Sequence, residues 1–342
     1  MNAIHRFFAP WVLILVVLAG CARSPELIVL SGPTMGTTYS IKVVASSSTD
    51  RALLQATIDQ VLSDIDRQMS GYRADSEISR FNRSRSTDWF DVSPDVAKAV
   101  AAAARVSELS QGALDITIAP LVNLWGMGPD GELRELPGTQ QIEQARAVVG
   151  YRRLEVRGEP AALRKELPGL TVDLNAVASG YAVDLIAARF TALGLANFMI
   201  DIGGEVRAHG RNAQNESWRI AIERPVDAEP EPYAIVKLDD TAVTTSGEYR
   251  HYVMRDGHRY SHTIDPRTGR PVEHKLASVV VVTAAAVDAD AWTTALNVLG
   301  EEAGYRLATE RGIAAMFIVA AGQGFEYRMT DGFERYLAVA PR

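Results

Sequence analysis

Only one cysteine, Cys21, occurs in the 342 residues, so no internal disulfide can staple the chain. Long apolar runs are equally scarce, and the clearest one, residues 7–20, is too short to span a bilayer comfortably. No long lysine or arginine run is present and the formal net charge is −7, which argues against nucleic acid as the main partner. The P-loop, the dinucleotide G-x-G-x-x-G fingerprint, the nucleophile elbow and the zinc-binding histidine pair are all missing. There is no internal repeat and no low-complexity tract. The chain must handle any ligand by another route.

A hydrophobic content of 47% and a charged content of 23% are those of an ordinary globular protein, and the length suits one large domain or two modest ones. At the N-terminus, His5 and Arg6 precede the apolar run, which has the size of a signal-peptide core. It closes on Leu18-Ala19-Gly20-Cys21, which resembles a bacterial lipobox, in which the cysteine becomes the lipid-modified N-terminus. The expected organisation is a lipoprotein signal over residues 1–20, a lipidated Cys21 with a tether to residue 27, and one domain over residues 28–342. That places the protein on the periplasmic side of a membrane, and Ala22 after the cysteine leans towards the outer one.

Residues 171–210 form the stretch around which the rest is organised. Residues 171–174 predict a short strand ending near Asp173. Val177, Tyr181, Leu185 and Ala188 then share a helix face. Phe198, Ile200 and Ile202 alternate as a half-buried strand that Gly203-Gly204 ends. The corners at residues 175–180 and 203–204 offer main-chain N–H groups to an anionic oxygen. Elsewhere the pattern predicts a hairpin over residues 28–44 with Gly32-Pro33 and Gly36 in its turn. Helices are expected over 53–69, 94–110, 142–149 and 288–299, a strand buried on both faces over 276–282, then a helix–strand pair and a terminal hairpin. Strands and helices interleave without βαβ regularity, so the fold class is α+β with mixed sheets and packed helices.

Two groups could carry chemistry. Asp290 and Thr294 lie four apart on one helix face, a carboxylate and a hydroxyl suited to a hard cation such as Mg²⁺, with Asp288 as a competing carboxylate. His262, in Ser-His-Thr-Ile-Asp-Pro with Asp265 three residues on, is the side chain best placed to exchange protons near neutral pH.

A series of short motifs runs through the chain. It begins with Thr34-Met35-Gly36-Thr37, Tyr72-Arg73, the run from Ser76 to Asn82, and Gly112-Ala113-Leu114-Asp115. Pro120 to Gly126, Asp173-Leu174, Gly180-Tyr181-Ala182 and Gly203-Gly204 follow. Thr245-Ser246-Gly247, the run from Ser261 to Pro266, and Ala289-Asp290 with Thr294 complete it. In this order the series closely resembles the ApbE-type FAD:protein FMN transferases, bacterial periplasmic lipoproteins, over about residues 31–299.

The resemblance implies a single T-fold-related catalytic domain that cleaves FAD between its phosphates. FMN passes to a Ser or Thr hydroxyl of a membrane redox subunit of the Nqr or Rnf kind, and AMP is released. It implies that Met35, Tyr72, Ala113, Leu114 and Asp115 line the flavin and adenine site, that Asp173 holds a polar group of FAD and that Ile264 contacts it. Mg²⁺ would sit between the pyrophosphate, Asp290, Thr294 and a main-chain carbonyl, that of Ala176. His262 would be the base for the acceptor hydroxyl. Ser179 departs from the family pattern, where that position is commonly charged, and stays as a neighbour of the ligand. By family the anchoring membrane would be the inner one. Two other readings use the same inventory: a Mg²⁺-dependent FAD pyrophosphatase, and a non-catalytic flavin-binding lipoprotein.

Overall fold

The computed structural model describes residues 26–45, 49–129, 135–226, 228–229, 231–247, 252–255 and 257–341. The expected signal segment and Cys21 lie outside the described residues. The centre is an eight-stranded sheet, whose strands are numbered here β1 (Glu26–Thr34), β2 (Thr37–Ala45), β3 (Phe198–Ile202), β4 (Glu205–His209), β5 (Thr241–Gly247), β6 (Leu276–Thr283), β7 (Ala314–Ala321) and β8 (Gly324–Met329). Their order in space is their order in the chain, and every neighbouring pair is antiparallel. The α+β reading holds. The helices enter as insertions: α1 (Arg51–Met69), α2 (Glu77–Arg83), α3 (Pro94–Leu109), α4 (Ala119–Leu124), α5 (Thr139–Arg146) and α6 (Ala178–Ala192) between β2 and β3, and α7 (Ala286–Glu310) between β6 and β7.

Both faces of the sheet are covered. Val279 and Val281 of β6 join Ala315 and Phe317 of β7 in a core shared with α1, α3, α6 and α7. Val280 and Val282, with Met316 and Ile318, point the other way into a second core under a three-stranded sheet made by Trp218–Glu223, Pro232–Leu238 and Leu337–Val339. The near-continuous apolar run of β6 therefore follows from burial on two sides. Helix α1 buries Leu54, Ile58, Val61, Leu62, Ile65 and Met69, one stripe at helical spacing. Its N-terminus is capped by Asp50, which accepts from the amides of Ala52 (2.9 Å) and Leu53 (3.2 Å). Ser93 caps α3 and Pro94 occupies its first turn, where a missing N–H is harmless.

Four local expectations are corrected. Gly32 and Pro33 belong to β1, and the hairpin turns at Met35-Gly36 instead. A two-residue hairpin turn of type I′ needs positive φ at both central residues, and these stand at 44° and 75°. Residues 171–174 are not a strand. Thr171 makes a lone parallel bridge to Ile118, and the segment is held instead by Asn82, whose side-chain amide clamps the Val172 backbone at both ends (2.8 and 2.7 Å). The short helix is α5, three residues earlier than its apolar spacing suggests, because the Gly138 amide is met by the Gln141 side chain at 2.8 Å and starts it there. The strand β1 begins at Glu26, inside the stretch read as tether, because pairing with β2 extends to Glu26↔Ala45.

The Asn82 clamp fixes the approach to Asp173. Asn82→Ala leaves two main-chain groups without their partner, which is expected to destabilise the fold by about 1–3 kcal/mol. Urea unfolding of the two proteins checks this.

Candidate active site

All of the residues expected at the site line three adjoining cavities. The first, about 570 Å³, is bounded by Met35, Met69, Tyr72, Asn175, Ala178 and Ser179. The second, about 260 Å³, takes in residues 113–116, Asp173, Ala176, His262, Ile264 and Thr294. The third, about 210 Å³, contains Glu205, residues 244–247, His262, Asp290 and Thr294. Asn175 is common to the first two, and Ser246, His262 and Thr294 to the last two. The result is one cleft of the size that small-molecule ligands take.

Each wall has a local cause. Met35 holds a positive φ, uncommon for a residue with a long side chain, and is half-buried against the core at the lip of the first cavity. Tyr72 is 65% exposed on the same rim, an aromatic plate free to stack. Its loop is pinned by Arg73, which pairs with Asp66 (3.1 Å) and Asp75 (2.8 Å). Asp115 is buried, and its carboxylate ties the wall together, accepting from Thr117 N (2.8 Å), Thr117 Oγ1 (2.6 Å) and Tyr151 N (2.8 Å). Desolvation raises its pKa nonetheless. Asp173 accepts from the Asn175 amide at 2.8 Å, and burial pushes its carboxyl upwards as well.

The junction of α6 and α7 is the most constrained place. Gly180 N–H, which a continued helix would direct at the carbonyl of Ala176, donates instead to Asp290 Oδ2 at 3.1 Å. A Cβ on Gly180 would lie 2.5 Å from the Ala286 carbonyl oxygen and 2.9 Å from Asp290 Cβ. Asp184 of α6 accepts from the first amides of α7, Ala286 and Val287 (3.0 Å each), and pairs with Arg207 of β4. The two helices are thus locked in register, with Asp290 and Thr294 one and two turns into α7. Gly180→Ala is expected to force them apart, at about 1–3 kcal/mol of stability for an overpacked contact. Thermal melts, read alongside FAD titration, test whether stability and ligand affinity fall together.

Burial pushes the Asp290 carboxyl up to about 7, the Gly180 amide opposing only in part. Glu205 has its carboxyl raised well above the ordinary range, by desolvation first and by Asp290 second. Asp288 points elsewhere, into an ion pair with Arg105 of α3. Of the two aspartates, Asp290 is the one that lines the third cavity. Asp265 is engaged by Arg267 at 2.8 Å. His262 stands between the second and third cavities, flanked by Thr263, whose amide donates to Ser261 Oγ (2.9 Å) and whose hydroxyl meets Asn297 Nδ2 (3.2 Å). Asn297 is fully buried and also reaches Ser246 Oγ at 3.2 Å, so one α7 side chain ties His262's loop to β5.

Among the described residues no cluster of three or more His, Cys, Asp or Glu side chains forms. A cation here would draw on the Asp290 carboxylate, the Thr294 hydroxyl and a main-chain carbonyl. That all-oxygen set fits a hard cation which keeps open positions for phosphate and water. Glu205, Asp184 and Asn297 were not foreseen. A carboxylate directly after Gly203-Gly204 is the only sequence signal that any of them carries.

The model of the ApbE family matches residues 35–317. The chain belongs to the ApbE family. A relative named FAD:protein FMN transferase from Vibrio cholerae is 42% identical, covering 95% of this chain and 97% of that protein. One of the same name from Salmonella typhimurium is 41% identical over 94% of each. Among solved structures, the flavin transferase ApbE from Vibrio cholerae matches at a TM-score of 0.84 with 42% identity, covering 92% of this chain and all of that one. The apo Pseudomonas stutzeri flavinyl transferase ApbE matches at 0.85 with 41% identity, covering 93% and 99%. These ApbE structures share the α+β fold.

Proposed function

We propose that the protein is an FAD:protein FMN transferase. One observation carries the reading: the acid, the hydroxyl, the histidine and the flavin-site residues, scattered from Met35 to Thr294, line a single cleft. Relatives covering nearly the whole chain bear that name. FAD is the substrate, lying along the first and second cavities, and Tyr72 offers a stacking face. Asp173 holds a polar group of the ligand, and Ser179 stands beside it at the start of α6.

The chemistry follows from the wall. A pyrophosphate repels an incoming nucleophile, so charge at phosphorus has to be absorbed by aimed donors. Asp290, Thr294 and the Ala176 carbonyl would hold Mg²⁺, which supplies Lewis-acid charge when bound. His262 takes the proton from a serine or threonine hydroxyl of the acceptor as that oxygen bonds to the flavin-side phosphorus. The bond from that phosphorus to the bridging oxygen breaks, and AMP leaves with the electron pair. The Thr263–Asn297–Ser246 network holds His262 in place for this transfer. Cys21 carries the lipid, and the domain works on the periplasmic side of a membrane, where a redox subunit of the Nqr or Rnf kind is the acceptor.

The experiment is incubation of the domain with FAD, Mg²⁺ and a flavinylated-type subunit, reading acceptor mass and AMP together. One FMN gained per acceptor with matching AMP is the expected result. AMP and free FMN without labelling would replace the reading with a pyrophosphatase, and binding without turnover with a flavin carrier.

A further inference from the structure

We propose that the acceptor polypeptide enters as an added strand, laid in a notch of the central sheet along residues 244–247. The inference deepens the transferase reading and rests on it.

The notch arises because neighbouring strands differ in length. Strand β5 pairs with β4 only at Thr241↔Ala208, Ala242↔Arg207 and Val243↔Val206. Its other side stays paired with β6 through Gly247↔Ser278. The β3–β4 hairpin has already turned back at Gly203-Gly204, leaving residues 244–247 with no strand on that side among the described residues. In an antiparallel ladder alternate residues face a given neighbour, so about half of these positions present N–H and C=O into the gap. Such an edge is a template for another chain.

This edge opens onto the reacting groups. It lines the cavity of about 210 Å³ that holds His262, Asp290 and Thr294. Around the hairpin tip the space continues into a cavity of about 390 Å³, with Thr38, Asp201, Glu223 and Thr245 on its walls. Gly203 and Thr245 belong to both. The tip itself is bare backbone: Gly204 holds a φ of 107°, and a Cβ there would meet nothing within 4 Å. Thr244 adds an independent sign. It is 2% exposed, lines the smaller cavity, and its hydroxyl has no hydrogen-bond partner. A buried hydroxyl without a partner is costly unless something arrives to use it.

The occupant is a polypeptide. The notch cavities share no lining residue with the one that contains Met35 and Tyr72, and the smaller of them meets the second cavity at Ser246, His262 and Thr294. Displacement at phosphorus needs the nucleophile roughly in line with the leaving group, and the notch supplies an approach to His262 from the sheet edge rather than past Met35 and Tyr72. The segment that fits is extended and carries the reactive hydroxyl beside His262. Its flank carries a hydrogen-bond donor for the carboxyl group of Asp201, whose Oδ1 already accepts from Gly204 N–H at 3.1 Å.

Amide hydrogen exchange on the wild-type protein tests this, with FAD, a chelator to prevent turnover, and a flavinylated-type acceptor subunit at a concentration that saturates transfer. Exchange within residues 244–247 is expected to slow at least tenfold on adding the acceptor. Unchanged exchange there overturns the proposal. Independently, Thr245→Trp fills the notch, and the KM for acceptor should rise tenfold or more with FAD affinity within twofold. An unchanged acceptor KM also overturns it. A wild-type protein that binds FAD but labels no acceptor removes the transferase reading itself and this proposal with it. That failure is distinct from transfer that proceeds without protecting the edge.

Discussion

Asp290→Asn is expected to abolish magnesium-dependent flavin transfer while leaving the metal-free protein at least as stable as the wild type at pH 8. The amide oxygen can still accept from Gly180 N–H, so the α6–α7 contact survives. What disappears is a negative charge buried beside Glu205. A bound cation contributes several kcal/mol to charge stabilisation at phosphorus, so the rate should fall by at least ~10³-fold. Magnesium titration of AMP release, with thermal melts in chelator, reads both halves. Substantial turnover that still responds to Mg²⁺ would remove Asp290 from the cation site.

The raised carboxyl also sets a pH dependence. Its pKa is higher folded than unfolded, so the native state binds the extra proton, and stability falls as pH rises between about 4 and about 7. Below about 4 both states are protonated, and above about 7 the loss is complete. A cation competes with that proton, so Mg²⁺ affinity should increase from pH 6 to pH 8, with proton release that calorimetry in buffers of different ionisation enthalpy detects.

His262→Ala should lower kcat for transfer by ~10²–10⁴-fold, the range that a positioned general base contributes. FAD affinity should stay within a few-fold of wild type. His262 meets the cleft where the second and third cavities join, whereas the flavin walls lie around Met35, Tyr72 and Asp173. Single-turnover rates against pH separate this role from a structural one, because loss of a base flattens the profile and a misplaced loop lowers it uniformly. Transfer at an undiminished rate would leave the histidine without a part in the chemistry.

How much of this could be read beforehand depends on distance along the chain. The α1 stripe, the Pro94 start of α3 and the two-sided β6 strand follow from neighbours a few residues apart, and all three were legible. That Asp290 and Thr294 share one face of a helix was legible for the same reason, since they lie one helical turn apart. Asp184 was not, because its partners are the amides of Ala286 and Val287, about a hundred residues on. Glu205 looks like an ordinary strand residue until α7 brings Asp290 against it. Residues 171–174 misled because their apolar pattern suits a strand, while Asn82, ninety residues away, supplies the hydrogen bonds that a strand partner would have. The sheet order was equally hidden, since insertions as long as residues 46–197 separate strands that lie side by side.

The direction of β1 has a consequence for where the enzyme can work. The chain enters the fold at Glu26 and reaches the cleft only at Met35, one full strand later. Nine residues at about 3.4 Å each put roughly 30 Å between Glu26 and the lip of the cleft. If Cys21 carries the lipid proposed above, the attachment falls on the Glu26 side of β1, and the cleft lies at the strand's other end. An acceptor hydroxyl lifted on a projecting domain would then be better presented to the cleft than one flush with the lipid surface.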